Sequence, residues 1–246
     1  MNRIAPDAVV IDITHGIAPQ AVLQGALVLA DTLPYFAPAI HVAVVDPRVG
    51  SDRRALAIRT GDGRTLVGPD NGLLLVAADK VGGVERAVEL TSAEHRLEQV
   101  SKTFHGRDIF SPAAAHLANG VELRELGPDI PAEQLVRLDI PRAEVGQTRL
   151  RARILYVDRF GNIQLGATAD DLEQAGILPG ALVEVETGAD AFFAVAARTF
   201  ADVGPGDVVL YEDAYGNISI ALNGGSAAQV FTARPGRELL IRRVEA

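Results

Sequence analysis

The 246-residue sequence contains no cysteine. Disulfides, thiolate metal sites and cysteine nucleophiles are therefore excluded. A basic excess is also missing. The 23 Lys and Arg against 32 Asp and Glu give a formal charge of −9, opposite in sign to the stripe that nucleic acid demands. No apolar run approaches the roughly 18 residues a membrane span needs. Met1 to Pro6 carry no signal-peptide hydrophobic segment, so a cytoplasmic enzyme with no membrane partner is expected. There is no Gly-x-Gly-x-x-Gly after a strand, no phosphate-binding Gly-Lys-Ser/Thr loop and no Gly-x-Ser-x-Gly elbow. Those absences argue against dinucleotide, nucleoside-triphosphate and serine-hydrolase chemistry. No pair of histidines has the spacing of a metal site, so no metal is expected.

What is present reads as two domains. In the first, Val9-Val10-Ile11 is a short apolar run ending at Asp12, the pattern of a buried strand. Pro19 opens a helix with Val22, Ala26, Leu29 and Leu33 on one face. The near-continuous apolar run Ile40 to Val45 fits a parallel sheet covered on both faces, and Asp46 follows at its ligand-binding, C-terminal end. Ala55 to Ile58 reads as another strand. Gly68 to Gly72 is a turn, and Leu73 to Ala78 fits helix or strand. Ser111-Pro112 starts a helix that Asn119-Gly120 stops. The expected fold is an α/β domain with a mostly parallel sheet over 1–127 and a proline-bearing linker over 128–148. An all-β, barrel-like domain then spans 149–246. Its strands are Arg153 to Val157, Leu182 to Glu186, Phe192 to Ala196, Val208 to Tyr211 and Ile218 to Leu222.

Three side chains on two loops are the candidates for chemistry, beside the plainer readings of Asp46 as a turn former, Arg53 as a surface residue and His105 as a structural histidine. Asp46 and Arg53 lie in Val45-Asp46-Pro47-Arg48 to Arg53. His105 lies in Thr103-Phe104-His105-Gly106-Arg107-Asp108. A carboxylate, a permanent cation and an imidazole together hold and activate one water molecule. A second constellation is Asp158-Arg159-Phe160-Gly161-Asn162, which Glu212 to Asn217 matches in style. His15, His41, His95 and His116 fit loop or packing roles.

The order of these motifs, with Asp12-Ile13-Thr14-His15-Gly16 and Asn223-Gly224-Gly225, resembles the S-adenosyl-L-methionine (SAM) hydroxide adenosyltransferase family. Members of this family, also called SAM hydrolases, are related to SAM-dependent halogenases. The resemblance spans essentially the whole chain. It implies an α/β domain, a β-barrel domain and a homotrimer that binds SAM between neighbouring subunits. It also implies conversion of SAM and water into adenosine and L-methionine without a further cofactor. The catalytic triad maps onto Asp46, Arg53 and His105, with the choice of base between Asp46 and His105 open. Asp158 maps onto the contact to the methionine amino group and Asn162 onto adenine. Ala214-Tyr215 matches the carboxylate segment, Asn223-Gly224 approaches adenine, Phe200 stacks on it and Gln20 lines the same pocket.

Three departures stand out. Arg48 replaces a glycine of the family loop, and Ala214 stands where serine is common. Family members also have an earlier strand ending in Asp-Phe-Gly, whose Asp grips the ribose, with no counterpart here. The alternatives are therefore a SAM-dependent halogenase, or a SAM- or adenosine-binding protein made inactive by truncation.

Overall fold

The structure, a computed structural model, describes residues 1–188 and 190–244. It divides into two compact units, Met1–Asp139 and Ile140–Ala246.

In the first unit, helix α1 (Val22–Thr32) forms on the expected stripe, with Ala26, Leu29 and Leu33 buried. It begins three residues after Pro19, because Gln20 has φ 65°, outside the helical region. A four-stranded sheet follows, built from β1 (Ile40–Val42), β2 (Ala55–Thr60), β3 (Thr65–Pro69) and β4 (Val84–Glu89). Its order is β1-β3-β2-β4. Only β1 and β3 run parallel; β2 is antiparallel to both β3 and β4. The sheet is thus mixed rather than mostly parallel. The tight connection Gly61 to Arg64, closed by Gly63 N–H on Thr60 O at 2.9 Å, is too short for a parallel crossover. Both faces are nonetheless covered, which explains the apolar strands. Leu56, Ile58 and Leu66 face α1 and α2 (Leu73–Lys80), while Ala57, Val67 and Val88 face α3 (Ser111–Ala118).

Three local expectations change. Val9, Val10 and Ile11 are 87%, 55% and 64% exposed and form no strand. β1 stops at Val42, and Val42 and Val44 are exposed at its unpaired edge. Apolar character alone makes no strand when no neighbouring ladder takes up its N–H and C=O groups. The third change concerns α3. Ser111 is no cap; it has helical φ and ψ, and the turn begins at His105 through a π-helical stretch, Gly106–Phe110. Ser111 N–H reaches back to Gly106 O. Pro112, with no N–H to place, follows where this wide turn gives way to α-helix. Gly120, at φ 89°, ends the helix as expected.

Residues 128–139 pack on this unit. Ile130 N–H bonds Ala87 O at 2.8 Å, and Ile130 and Leu135 are buried against the α1–α2 side. One buried carboxylate pins the segment. Asp70 accepts Arg54 Nε at 2.8 Å and Val136 N–H at 2.9 Å, and Arg54 in turn bonds Gln134 O.

The second unit is a closed seven-stranded barrel. Its strands are β6 (Arg149–Val157), β7 (Ile163–Thr168), β8 (Leu182–Thr187), β9 (Asp190–Ala196), β10 (Val208–Glu212), β11 (Asn217–Leu222) and β12 (Glu238–Arg243). They run β12-β8-β9-β10-β11-β7-β6, and β12 pairs again with β6 to close the ring. All pairs are antiparallel except β9 with β10. The short strand β5 (Glu144–Val145) pairs with β6 outside the ring. Leu150, Ala152 and Ile154 alternate inward on β6. Phe192 and Phe231 meet within the barrel core, ring centroids 4.5 Å apart.

Replacing Asp70 with Ala leaves Val136 N–H without its acceptor and the Arg54 guanidinium without its carboxylate. It should lower unfolding free energy by about 2–4 kcal/mol, the usual cost of breaking a buried, hydrogen-bonded pair. Urea denaturation of the wild type and variant measures it.

Candidate active site

Asp46 follows the end of β1, and its loop is anchored before and after. Asn71 Nδ2 donates to Val45 O at 2.8 Å, while Asn71 Oδ1 accepts Leu73 N–H at the start of α2. Seven residues on, Arg53 lies back along the carboxylate. Its Nε stands 3.1 and 3.0 Å from the two Asp46 oxygens, and its Nη2 is 2.5 Å from Oδ2. The two side chains are 5% and 4% exposed. Arg53 Nη2 also lies 2.8 Å from His105 Nδ1. The guanidinium carbon sits 5.3 Å from the centroid of the fully buried Phe110 ring, an attractive cation–π arrangement. The structure thus brings Asp46, Arg53 and His105 into one hydrogen-bonded line.

The two loops meet through main chain. Gly50 has φ 80°, and a Cβ there would stand 2.2 Å from Lys102 O. Only glycine permits both that backbone conformation and that approach. Arg48, at the position where the family loop has glycine, points to solvent in an exposed pair with Asp52 at 3.5 Å. Such a pair contributes little.

Hydrogen bonding determines the imidazole's tautomer. Arginine only donates, so His105 Nδ1 must accept and the neutral ring carries its proton on Nε2. The ring's pKa is lowered, chiefly by burial and next by the Arg53 charge; Asp46 and Asp108 pull it partly back. His105 is therefore neutral at neutral pH. Protonation would place imidazolium against guanidinium.

The other histidines have local partners. His15 lies 3.3 Å from Asp12 on the surface. His41 is buried, edge-on to Phe36. His95 accepts or donates at Ser92 Oγ, 2.8 Å away, and packs T-shaped on His116 at 4.9 Å. Among the described residues no group of three His, Cys, Asp or Glu could hold a metal ion. Gln20 is exposed at the approach to α1.

In the barrel, Asp158 and Asn162 are bound to each other. Asp158 Oδ1 accepts Phe160 N–H at 2.8 Å and Asn162 N–H at 2.9 Å; Oδ2 accepts Asn162 Nδ2 at 2.8 Å. The Asn162 amide nitrogen is thereby engaged and its carbonyl oxygen is left for another donor. The loop Asp213 to Asn217 repeats this geometry. Asp213 Oδ1 accepts Tyr215 N–H at 2.9 Å and Asn217 N–H at 3.1 Å. The loop around Gly161 packs on Ser226, and Ala228 N–H bonds Gly161 O at 2.9 Å. This sets the 158–162 loop against the segment that begins at Ser226. Asn223 Nδ2 in turn donates to Val203 O at 3.0 Å and Phe200 O at 3.3 Å, steadying the Phe200 turn. Ala214 and Tyr215 sit exposed at the tip of the second loop.

Residues that the motif reading missed complete both clusters. Phe110 lies just ahead of the expected helix start at Ser111, within the π-helical stretch. Tyr211 sat in an ordinary strand pattern, yet its ring lies 4.9 Å from Phe200. Burial, with Asp213 and Asp158 nearby, pushes its hydroxyl up to about 12, so it stays protonated. Gln164 and Ser219 donate to Asp213 Oδ2 at 2.8 and 3.1 Å.

A chain joining these two folds has been seen before. A structure of an uncharacterized conserved protein from Thermotoga maritima is similar, with TM-score 0.88 and 34% identity, covering 98% of this chain and 92% of that one. The family is narrower than the fold. Residues 1–127 match the model of the SAM hydroxide adenosyltransferase N-terminal domain and residues 152–240 that of its C-terminal domain. The chain belongs to the SAM hydroxide adenosyltransferase family. Among its relatives, an (R)-S-adenosyl-L-methionine hydrolase of Salinispora arenicola is 47% identical over 241 residues, covering 98% of this chain and 89% of the relative. A fluorinase of Actinopolyspora mzabensis is more distant, at 28% identity over 99% of this chain and 90% of its own length.

Two outcomes test the geometry. The His105 titration, followed by NMR, should lie below the ordinary 6.5. Arg53→Gln should raise it, because a cation leaves, and Asp46→Asn should lower it further. A folded pKa below the unfolded one means that the ring's stabilising contribution is complete above about pH 6.5 and is lost as pH falls toward the depressed value. Gly50→Ala should separate the two loops and release His105 toward its ordinary titration, read in the same experiment.

Proposed function

We propose that this protein hydrolyses S-adenosyl-L-methionine to adenosine and L-methionine. The observation that carries the reading is 47% identity to an (R)-S-adenosyl-L-methionine hydrolase over 98% of the chain. The buried Asp46–Arg53–His105 line supplies suitable chemistry. We take the (R) epimer at sulfur as the preferred substrate, after the relatives' names.

The water oxygen attacks ribose C5′ as the C5′–S bond breaks, and the bonding pair leaves with sulfur. The departing group is a neutral thioether, so no general acid is required. Catalysis then rests on holding water in line and desolvated, worth up to about 7–11 kcal/mol in ideal intramolecular cases. Arg53 stabilises the hydroxide-like charge that develops on that water. His105 has its Nδ1 lone pair committed to Arg53, so we assign proton acceptance to Asp46, whose Oδ1 makes one longer contact.

In this reading the barrel unit recognises the rest of the substrate. Asp158 Oδ2 has room to accept the methionine ammonium, and the Asn162 carbonyl oxygen accepts from the adenine amino group. Asn223 and Gly224 approach adenine, Phe200 stacks on it and Gln20 lines the pocket. Ala214 and Tyr215 offer main-chain N–H groups to the carboxylate, because Ala214 has no hydroxyl. The assembly is a homotrimer in the cytoplasm, working without an added cofactor. No described helix is long and apolar enough to cross a membrane.

Purified protein given epimerically defined SAM should release adenosine and methionine in equal amounts, faster from the (R) epimer. Asp46→Ala, Arg53→Ala and His105→Ala should each lower kcat by about 100-fold or more. Full activity in all three variants overturns the assignment of the triad. Formation of 5′-halo-5′-deoxyadenosine with chloride or fluoride, or SAM binding by calorimetry without product, overturns the reading itself.

A further inference from the structure

His105 is held by a loop that a single buried carboxylate closes. Asp108 is 0% exposed, yet the Arg107 guanidinium that neutralises it is 56% exposed. Arg107 Nε donates to Asp108 Oδ1 at 2.6 Å and Nη2 to Oδ2 at 3.1 Å. The same Oδ2 takes Ser101 N–H at 2.8 Å. Ser101 Oγ accepts Phe104 N–H at 3.0 Å. The Asp108 carbonyl also receives Leu97 N–H at 2.9 Å. These partners hold the carboxyl group ionised, well below its ordinary range.

The ring from Ser101 to Asp108 contains two groups that reach the 46–53 loop. Lys102 O abuts Gly50, and His105 Nδ1 accepts from Arg53. The Ser101 backbone also bears on the imidazole itself, favouring its protonated form against burial and Arg53. The π-helical stretch Gly106–Phe110, which starts inside the ring, sets Phe110 under the Arg53 guanidinium. An ordinary α-turn would rotate every residue after it by most of a step; such π-turns recur at functional sites.

We propose that Asp108 is a positioning residue for the reaction. It closes the Ser101–Asp108 loop so that His105 presents Nδ1, unprotonated, to Arg53. Its carboxylate is bonded to Arg107 and Ser101, and it acts through Ser101 and His105. The kinetic part of this proposal rests on the SAM-hydrolase reading, whereas the tautomer part does not.

The test compares wild type, Asp108→Ala, Asp108→Asn and Arg107→Ala in SAM-hydrolysis kinetics, and follows the His105 ring by ¹⁵N NMR. In Asp108→Ala, kcat should fall about 10–100-fold, as when an outer partner of a reacting group is lost, with KM changed by less than about threefold. Asp108→Asn should recover part of that loss, because its carbonyl still accepts Ser101 N–H. The wild-type Nδ1 resonance should report an unprotonated acceptor, and Asp108→Ala should move it toward a mixture of tautomers. A folded Asp108→Ala with kcat within about twofold and an unchanged ring spectrum overturns the proposal. So does a loss that only tracks the folded fraction. If Asp108→Ala does not fold, the Asn and Arg107 variants decide by the same readouts. If wild type releases no adenosine, the functional reading fails and the ¹⁵N comparison alone decides on Asp108.

Discussion

The rest of the first unit is organised around one desolvated ion pair. Arg53 cannot lose its proton and Asp46 is 5% exposed, so each makes the other's burial tolerable. An arginine buried this deeply needs its remaining donors placed as well. His105 takes one, and Phe110 supplies a π-face where a water molecule would otherwise be needed. Each of these partners comes from the far side of the sheet, after α2 and β4. The three-layer arrangement is what returns that part of the chain to the C-terminal end of β1. The tether from Asn71 to Val45 O and the glycine at position 50 then fix the approach. The cluster is therefore a product of the whole unit.

Legibility from sequence followed the range of the forces involved. Helix α1 was readable because its stripe of Val22, Ala26, Leu29 and Leu33 is a local periodic signal. The barrel strands β8, β9, β10 and β11 were legible as short apolar runs set between turn signals, and β8 also alternates inward and outward. β7 and β12 were not; in β7, Gln164 and Gly166 interrupt the apolar pattern, and Gln164 donates to Asp213. The parallel-sheet expectation failed because an apolar run reports two-sided burial, and here α1, α2 and α3 provide that burial for antiparallel neighbours too. Val9 to Ile11 failed for the opposite reason: the residue types suit a strand and no ladder is present. For the candidate site, Asp46, Arg53 and His105 could be named from ordered motifs. Their tautomer and hydrogen bonds could not, because Arg53 and His105 lie 52 residues apart and meet only in the fold. Phe110 and Asp108 were concealed by the π-turn, which moves the start of the helix six residues ahead of Ser111.

The barrel uses one backbone solution twice. Asp158 and Asp213 each fold a five-residue loop around their own carboxylate, and each loop has glycine at positive φ as its fourth residue. The aromatic third residue, Phe160 or Tyr215, is left exposed in both. A turn stabilised by its own aspartate can present that aromatic ring without help from the barrel core. The two loops differ in what their second carboxylate oxygen does. Asp158 turns it to Asn162, within the loop, while Asp213 turns it to Gln164 and Ser219 on the neighbouring strands.

That self-closure has a thermodynamic consequence for recognition. Loops that order only on contact with a ligand lose conformational freedom at that moment, about 0.5–1.5 kcal/mol for each mobile side chain. Here Asp158, Asn162 and the main chain between them are already bonded to one another in the free protein. Their entropy is lost during folding rather than binding. In the proposed reading, more of each contact they make with substrate is available as affinity.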